Sequence, residues 1–574
     1  MMRYGLRVLP ILSLAIAATA CGASGSPAAG GRSVSMTSGD AFHMLLGASR
    51  RLGAVRPDRS VSFTLLIKDP TGRRERQVLA QMYSPHSASF GRFMSVRQYQ
   101  DAFGPRPRLV ARLRAFLTSL GVSSSWTRGD DWLVVTGAAR RIEAAFHVHV
   151  QEYTAPDGTH FYASARDPAI PLSLRPYVTG VSHIASYVHP EQDAIRAHGM
   201  TPNDLLQAYD IAPLRQHADG SGETVVFFEW DGFQQSDLDT FDSHFGLPPM
   251  HPVIADPSVS LKPGGETPMD LEAVHEIAPG AKLIVYNCDG NTNCSTEAQL
   301  DAMQQQMLQQ HPGAIFSQSW SWCDKAMGRT ISQKYVNIYQ AGAASGDQVF
   351  ASTGDSGAYQ CLEVANAGTP PTSDYIGSSL PAAAPGVTAV GGTRLSVGVN
   401  QSWYDETVWE EPATTNGSGG APACCIQRPS WQAGPGVNTQ IARYDSNNMR
   451  MTPDVSADAD PASGTATYCS GSDECPGWSQ GGGTSLATPI WAGIAALIDQ
   501  YLRDNHVRPV GAMNPALYAL AAGSPPYPPF HDVTVGTNLY YAAGPGYDIA
   551  TGLGSPDAWN LARDLAKYQK SGHP

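Results

Sequence analysis

Gly481-Gly-Gly-Thr-Ser-Leu-Ala-Thr-Pro489 runs directly into the apolar stretch Ile490-Trp-Ala-Gly-Ile-Ala-Ala-Leu-Ile498. The glycines let the backbone turn tightly, and the apolar run that follows suits a buried helix. Ser485 then stands at the mouth of that helix, facing its unpaired N–H groups, with room for a peptide backbone alongside. That is the setting of a serine nucleophile. A plain alcohol is weak, so two further parts are needed: a base for its proton, and a donor for the oxyanion formed by attack on a carbonyl.

The chain before this helix supplies the sheet. Thr224-Val-Val-Phe-Phe-Glu-Trp230, Lys282-Leu-Ile-Val-Tyr286, Ala314-Ile-Phe-Ser-Gln-Ser319, Gln348-Val-Phe-Ala-Ser352 and Val387-Thr-Ala-Val390 are short apolar runs separated by helical segments. Such runs indicate an α/β domain, a parallel sheet with helices on both faces, over residues 202–574. Ligand sites on such sheets lie past the carboxyl ends of the strands. Residues 411–450, rich in glycine, read as a long loop excursion.

Residues 37–186 have a different pattern. Ser62–Lys68, Trp132–Thr136 and Val148–Tyr153 read as strands. Arg74–Met82 and Ala138–Phe146 read as helices, as does Arg106–Leu120, amphipathic with Leu109, Leu113, Phe116 and Leu120 on one side. Pro156-Asp-Gly158 reads as a hairpin turn. The result is a small α+β domain of the split βαβ, ferredoxin-like kind. Residues 187–201, with His189-Pro190 and Gly199, read as an exposed linker open to proteolysis.

At the start of the chain, Arg3 and Arg7 precede the apolar run Val8–Ala20, and Ala18-Thr-Ala20 suits a signal peptidase, so residues 1–20 read as a signal peptide. Export follows, either as a secreted protein or as a surface lipoprotein anchored through Cys21. Residues 21–36 are small and polar and read as a flexible tether. Of the nine cysteines, eight remain after Cys21, and an oxidising compartment makes disulfides their natural use. Cys288 with Cys294 and Cys469 with Cys475 are the easiest local pairs; the pairing of Cys323, Cys361, Cys424 and Cys425 stays open. No cysteine pair has zinc-knuckle spacing with histidines nearby, so zinc is not expected.

Charge divides the chain. Residues 1–200 hold 23 lysines and arginines against 13 acids, whereas residues 201–574 hold 15 against 38. So acidic a main body excludes nucleic acid as a natural partner. The basic first part is expected to clamp the acidic body at neutral pH and to loosen as acid protonates carboxylates.

The usual base would be a histidine, but the body offers none in a glycine-flanked helix start before Ser485. His275 falls inside a helical stretch, His251 sits beside Pro252, and His244 lies among acidic residues. The stretch Gly264-Gly-Glu-Thr-Pro-Met-Asp-Leu-Glu-Ala-Val-His-Glu-Ile-Ala-Pro-Gly280 offers carboxylates instead. Pro268 suits a first helical turn, which starts the helix near Glu266 and puts Glu266 and Asp270 on one face, close enough to share a proton. A carboxylate is a poor base at neutral pH, yet in acid, where histidine is already protonated, it can still accept a proton. Asp355, in Phe350-Ala-Ser-Thr-Gly-Asp-Ser-Gly357, follows an apolar strand. Kept protonated, it could donate to an oxyanion. Taken singly, Glu266 and Asp270 read more readily as a solvated helix face, and Asp355 as a turn-closing cap.

Together these stretches resemble the sedolisin family of serine-carboxyl peptidases. The motifs are Glu266-Thr-Pro-Met-Asp270 with its Ala-Pro-Gly-Ala-Lys282 tail, Ser352-Thr-Gly-Asp-Ser-Gly357, Pro453-Asp-Val-Ser-Ala-Asp-Ala-Asp-Pro461 and Gly482-Gly-Thr-Ser485. Residues 84–99 resemble the family's activation prodomain, so the likeness runs from about Val61 to Leu565. Met269 stands where the family usually has leucine, a volume-conserving change.

The resemblance implies a subtilisin-like fold, an acid-active peptidase acting on peptides and unfolded proteins, and a monomer held inactive by its own prodomain. It implies Ser485 as nucleophile, Glu266 as base, Asp270 as its support and Asp355 as oxyanion donor. It also implies one calcium ion near the C-terminus. In this sequence the matching positions are Asp532, Val533, Gly544, Gly546 and Asp548, a set of carboxylates and glycine carbonyls suited to a hard cation. The rival reading, a non-catalytic surface lipoprotein that keeps the fold as a binding module, predicts loss of at least one catalytic side chain. All four are present.

Overall fold

The expected apolar runs form one sheet. In the computed structural model, which describes residues 40–68, 72–156, 158–187, 199–259, 261–288, 293–294, 296–364, 370–444, 448–472 and 475–571, the main sheet has eight strands among the described residues. Across it lie Trp403–Val408, Val387–Val397, Gln348–Ser352, Ile315–Gln318, Thr224–Glu229, Lys282–Asn287 and Val253–Ile254. Val455–Asp458 also pairs with Val387–Val397. Neighbours run parallel except Trp403–Val408, which returns antiparallel.

Alternate residues of each strand face opposite layers, so both faces must be covered. Val225, Phe227, Val285 and Phe350 join the core beneath the helices Glu266–Ile277 and Gly483–Asp504. Val226, Phe228, Ile284 and Val349 join the other layer, under Glu297–Gln310 and Asp324–Ser345. The Glu266–Ile277 helix is buried along its whole length. This excludes the solvated-face reading of its acids. Residues 411–450 are more ordered than a loop: Pro422–Gln427 pairs with Met449–Met451, and Val437–Tyr444 is helical. Among the described residues no helix is long and apolar enough to cross a membrane.

The N-terminal part has a four-stranded antiparallel sheet, in the order Ser123–Ser125, Trp132–Ala138, Ser60–Ile67, Val178–Val181. A smaller sheet joins Arg50–Ala54, Val150–Thr154 and His160–Ser164. The expected helices are present at Gly72–Met82, Pro107–Ser119 and Ala139–Phe146, with two more at Asp40–Ala48 and Val96–Phe103. The inner stripe of Pro107–Ser119 is Val110, Leu113 and Leu117, while Leu109, Phe116 and Leu120 are only partly covered. Both stripes have helical period and share Leu113, and packing turned the Val110 edge inward. The signal, Cys21, the tether, Asp157 of the hairpin turn and most of the linker lie outside the described residues.

This part is seated on the Asp324–Ser345 helix. Leu66 and Trp132 enter the body's outer core beside Ile331 and Tyr335, Tyr99 and Phe103 meet Ala344, and Phe42, Leu45 and Phe161 meet Cys323 and Cys361. Thr330 Oγ1 donates to Val181 O at 2.8 Å and Met94 N to Ala344 O at 2.9 Å. The ion pairs described each join residues on the same side of the seat, so the contacts described across it are apolar or hydrogen-bonded. A fully buried aromatic contributes roughly 1.5–3 kcal/mol, an exposed ion pair roughly 0–1, so the apolar contacts dominate.

One acid at the seat works against the expected loosening. Asp130 Oδ1 accepts from Gln305 Nε2 at 2.8 Å, and burial pushes its carboxyl up to about 7. The seated form therefore holds a proton that an exposed aspartate releases, and this group favours seating increasingly as the pH falls from about 7 towards 3.8.

Of the disulfides, Cys288–Cys294 forms as expected. Cys323 pairs with Cys361, and Cys424 with its neighbour Cys425. The Cys475 side chain lies outside the described residues.

Candidate active site

The helix bearing Ser485 begins at Gly483, whose φ of +80° lies in the region that favours glycine. Thr484 fixes the turn. Its backbone N and its Oγ1 both donate to Asp355 Oδ1 at 2.8 Å, and its Oγ1 accepts from Gly354 N at 3.0 Å. Asp355 thus sits at the carboxyl end of Gln348–Ser352, as expected, and is tied to the residue before the serine. Ser485 is buried, and its N–H is in the first helical turn, where no intrahelical acceptor exists.

The Ser485 hydroxyl has two acceptors within reach. It lies 3.3 Å from Ser319 O, and it sits beside the Glu266 carboxyl, whose buried Oε1 has no hydrogen-bond partner among the described residues. Glu266 is the first residue of its helix, as Pro268 implied, and Asp270 follows one turn later. Ser319 Oγ donates to Asp270 Oδ2 at 2.6 Å and also reaches Ser485 O at 3.3 Å. Met269 lies against Gly481, at the start of the serine turn. All four expected residues converge, although Asp270 is held by Ser319, lies beside Glu229 and shows no direct bond to Glu266.

Sequence reading missed Glu229, Asp231, Ser319, Trp320 and Thr484. Glu229 ends the Thr224–Glu229 strand, is fully buried, and accepts from Trp320 Nε1 at 3.0 Å and Thr267 Oγ1 at 3.3 Å. The signal for it was Glu229-Trp-Asp231 at the carboxyl end of a parallel strand, where sites form.

Electrostatically the site is a store of protons. Burial, and next the charge of Glu229, hold both Glu266 and Asp270 well above the ordinary carboxylate range; the neighbouring Ser485 hydroxyl partly offsets this at Glu266. Burial, and next Asp231, push Glu229 up as well. So many carboxyls in one dry cluster cannot all ionise, and the last to lose its proton is a stronger base than a free carboxylate. Two of the three histidines are engaged elsewhere, His275 Nε2 lying 2.7 Å from Pro248 O and His244 packing on Trp478 with ring centres 4.4 Å apart, and His251 is exposed.

A second cluster lies near the C-terminus. Gly546 N donates to Asp532 Oδ2 and Gly544 N to Asp548 Oδ2, both at 2.9 Å, while Val533 anchors the segment in the core. Burial raises both acids, Asp548 to about 7, and neither joins an ion pair among the described residues. Two such acids beside a glycine loop fit a hard divalent cation.

Residues 48–187 match the family model described as the pro-kumamolisin activation domain, and residues 261–516 that of the subtilase family. Kumamolisin from Bacillus sp. (strain MN-32) is 28% identical over 562 residues, 91% of this chain and 94% of that protein. Sedolisin from Pseudomonas sp. (strain 101) is 28% identical over 521 residues, 85% of this chain and 84% of that protein. Tripeptidyl-peptidase 1 from Bos taurus is 25% identical over 559 residues, 90% of this chain and 93% of that protein. Among solved structures, Pseudomonas sedolisin (serine-carboxyl proteinase) complexed with two molecules of pseudo-iodotyrostatin aligns with a TM-score of 0.55 and 28% identity, covering 66% of this chain and 99% of that one.

Proposed function

The chain belongs to the sedolisin family of serine-carboxyl peptidases, and from that premise we propose that it is an acid-active peptidase, exported as a precursor, with Ser485, Glu266 and Asp270 as its triad. The observation that carries this reading is the Ser485 hydroxyl set against a buried Glu266, itself within a cluster of acids. Ser485 Oγ attacks the peptide carbonyl carbon while Glu266 takes the hydroxyl proton. Asp355 and the Ser485 N–H hydrogen-bond the oxyanion. Glu266 then gives its proton to the leaving amine, and the C–N bond breaks. Water, deprotonated by Glu266, hydrolyses the acyl-enzyme and restores the hydroxyl.

Base and donor set opposite limits on pH. Glu266 must be ionised to accept and Asp355 protonated to donate, so turnover falls on both sides of an acid optimum. A pH–rate profile on a denatured protein checks this. The expected curve is bell-shaped with its maximum below neutrality; a maximum at or above pH 7 that tracks an imidazole would overturn the assignment.

Residues 37–186 serve as the inhibitory prodomain, and cutting within 187–201 frees residues 202–574 as the mature enzyme. Residues 1–20 direct export, either to secretion or to lipid anchoring at Cys21. The disulfides Cys288–Cys294 and Cys323–Cys361 agree with an oxidising destination.

Asp532, Asp548 and the backbone of Val533, Gly544 and Gly546 would hold one calcium ion, whose contribution is to tie the C-terminal loops together. Excess chelator should lower the melting temperature of the mature enzyme by about 5 °C, with calcium restoring it. A melting curve indifferent to both would remove the site.

A further inference from the structure

We propose that Asp231 is a positioning residue for the base: it caps the helix that carries Glu266, and its charge sets how tightly Glu266 holds a proton. This rests on reading Glu266 as the base. The helix has no cap of its own, since its N-cap is Gly265 and no side chain there accepts from the first turn. Asp231, from the end of the neighbouring strand, fills that role. Glu266 N donates to its Oδ2 at 3.1 Å and Thr267 N to its Oδ1 at 3.0 Å, so one carboxylate grips two consecutive amides. Thr267 Oγ1 adds bonds to Asp231 Oδ1 and, at 2.9 Å, to Asp231 O.

The approach is built from both sides. A Cβ at Gly264 would lie 1.8 Å from Asp231 Oδ2, so only glycine leaves space for the carboxylate. Gly232 N donates to Lys262 O at 2.8 Å and Gly264 N to Gly232 O at 3.0 Å, which stitches the approach loop to the strand end. Glu266 is the first residue of the helix, so the grip that fixes this turn also fixes the carboxyl facing Ser485.

Charge gives the second role. Glu229 and Asp231 face Glu266 from the strand, Asp270 from its own helix, Asp355 from the loop after Gln348–Ser352, and the neutral Ser485 hydroxyl from the serine helix. Every charged group in that set is an acid. A negative Asp231 therefore makes it harder to ionise Glu266, and its removal eases ionisation.

The test compares matured wild type with Asp231→Asn and Asp231→Ala, made from the full chain, over the acid pH range. Asp231→Asn keeps an acceptor oxygen and loses the charge. Its acid limb of kcat should move to lower pH by about half a unit to one unit, with kcat at the optimum reduced by roughly tenfold or less. Asp231→Ala loses the grip as well. Its kcat should fall about a hundredfold with KM little changed, the signature of a misplaced base. An acid limb in Asp231→Asn that coincides with wild type overturns the charge role, even if Asp231→Ala fails to fold. A wild-type kcat in Asp231→Ala overturns the positioning role. Glu266→Gln separates the two levels: if it stays active, the base assignment itself fails; if it is inactive while Asp231→Asn leaves the limb unmoved, only this proposal fails.

Discussion

Ser485→Ala is expected to lower turnover on a denatured protein by about a millionfold at acid pH and to leave the precursor at full length. Alanine removes the only atom that can form the acyl bond. It should not disturb the fold, because alanine is the best helix former and the lost contact to Ser319 O is a long 3.3 Å bond. The variant therefore isolates chemistry from stability, which a matched melting curve would confirm. Peptide release and precursor length should be followed together on one sample. Undiminished peptide release would refute Ser485 as nucleophile. A precursor that matures while peptide release is absent would show that an outside protease makes the cut.

Local signals gave the helix start at Glu266 and the strands of the main sheet. Both depend on short-range rules: a proline in the first turn, and apolar runs too short for helices. The deeper part of the acid cluster was hidden because it is a product of topology. In the sequence Glu229 and Asp231 are two acids after an apolar run, which describes any strand end. They matter because the Thr224–Glu229 strand lies between Lys282–Asn287 and Ile315–Gln318, which brings its end beneath the Glu266 helix and beside Trp320. The prodomain taught the opposite lesson. Its net charge was plain, yet net charge does not say which residues face the body, and those that do include the apolar Leu66, Trp132, Tyr99 and Phe103. Likewise Cys323 and Cys361 sit 38 residues apart, and only the folded chain brings them together.

On the proposed mechanism Asp355→Ala should lower kcat by about a thousandfold at the acid optimum and abolish the neutral-side limb, since it deletes one of two oxyanion donors. Asp355→Asn is the informative partner. Asp355 Oδ1 already accepts twice from Thr484, so a proton for the oxyanion has to ride on Oδ2. Asparagine reproduces that arrangement, with its oxygen facing Thr484 and its amide N–H directed at the oxyanion, and its donor never titrates. The neutral-side limb of kcat should therefore move to higher pH in Asp355→Asn, while the acid-side limb, which belongs to Glu266, stays where it is. The same logic fixes the sign of the failure. If Asp355 acted as an ionised carboxylate, for example only as the anchor of Thr484, asparagine would weaken the turn and lower activity without moving either limb. A neutral-side limb that does not shift would thus assign Asp355 to holding the serine turn and leave the oxyanion to the Ser485 N–H and a donor yet to be named.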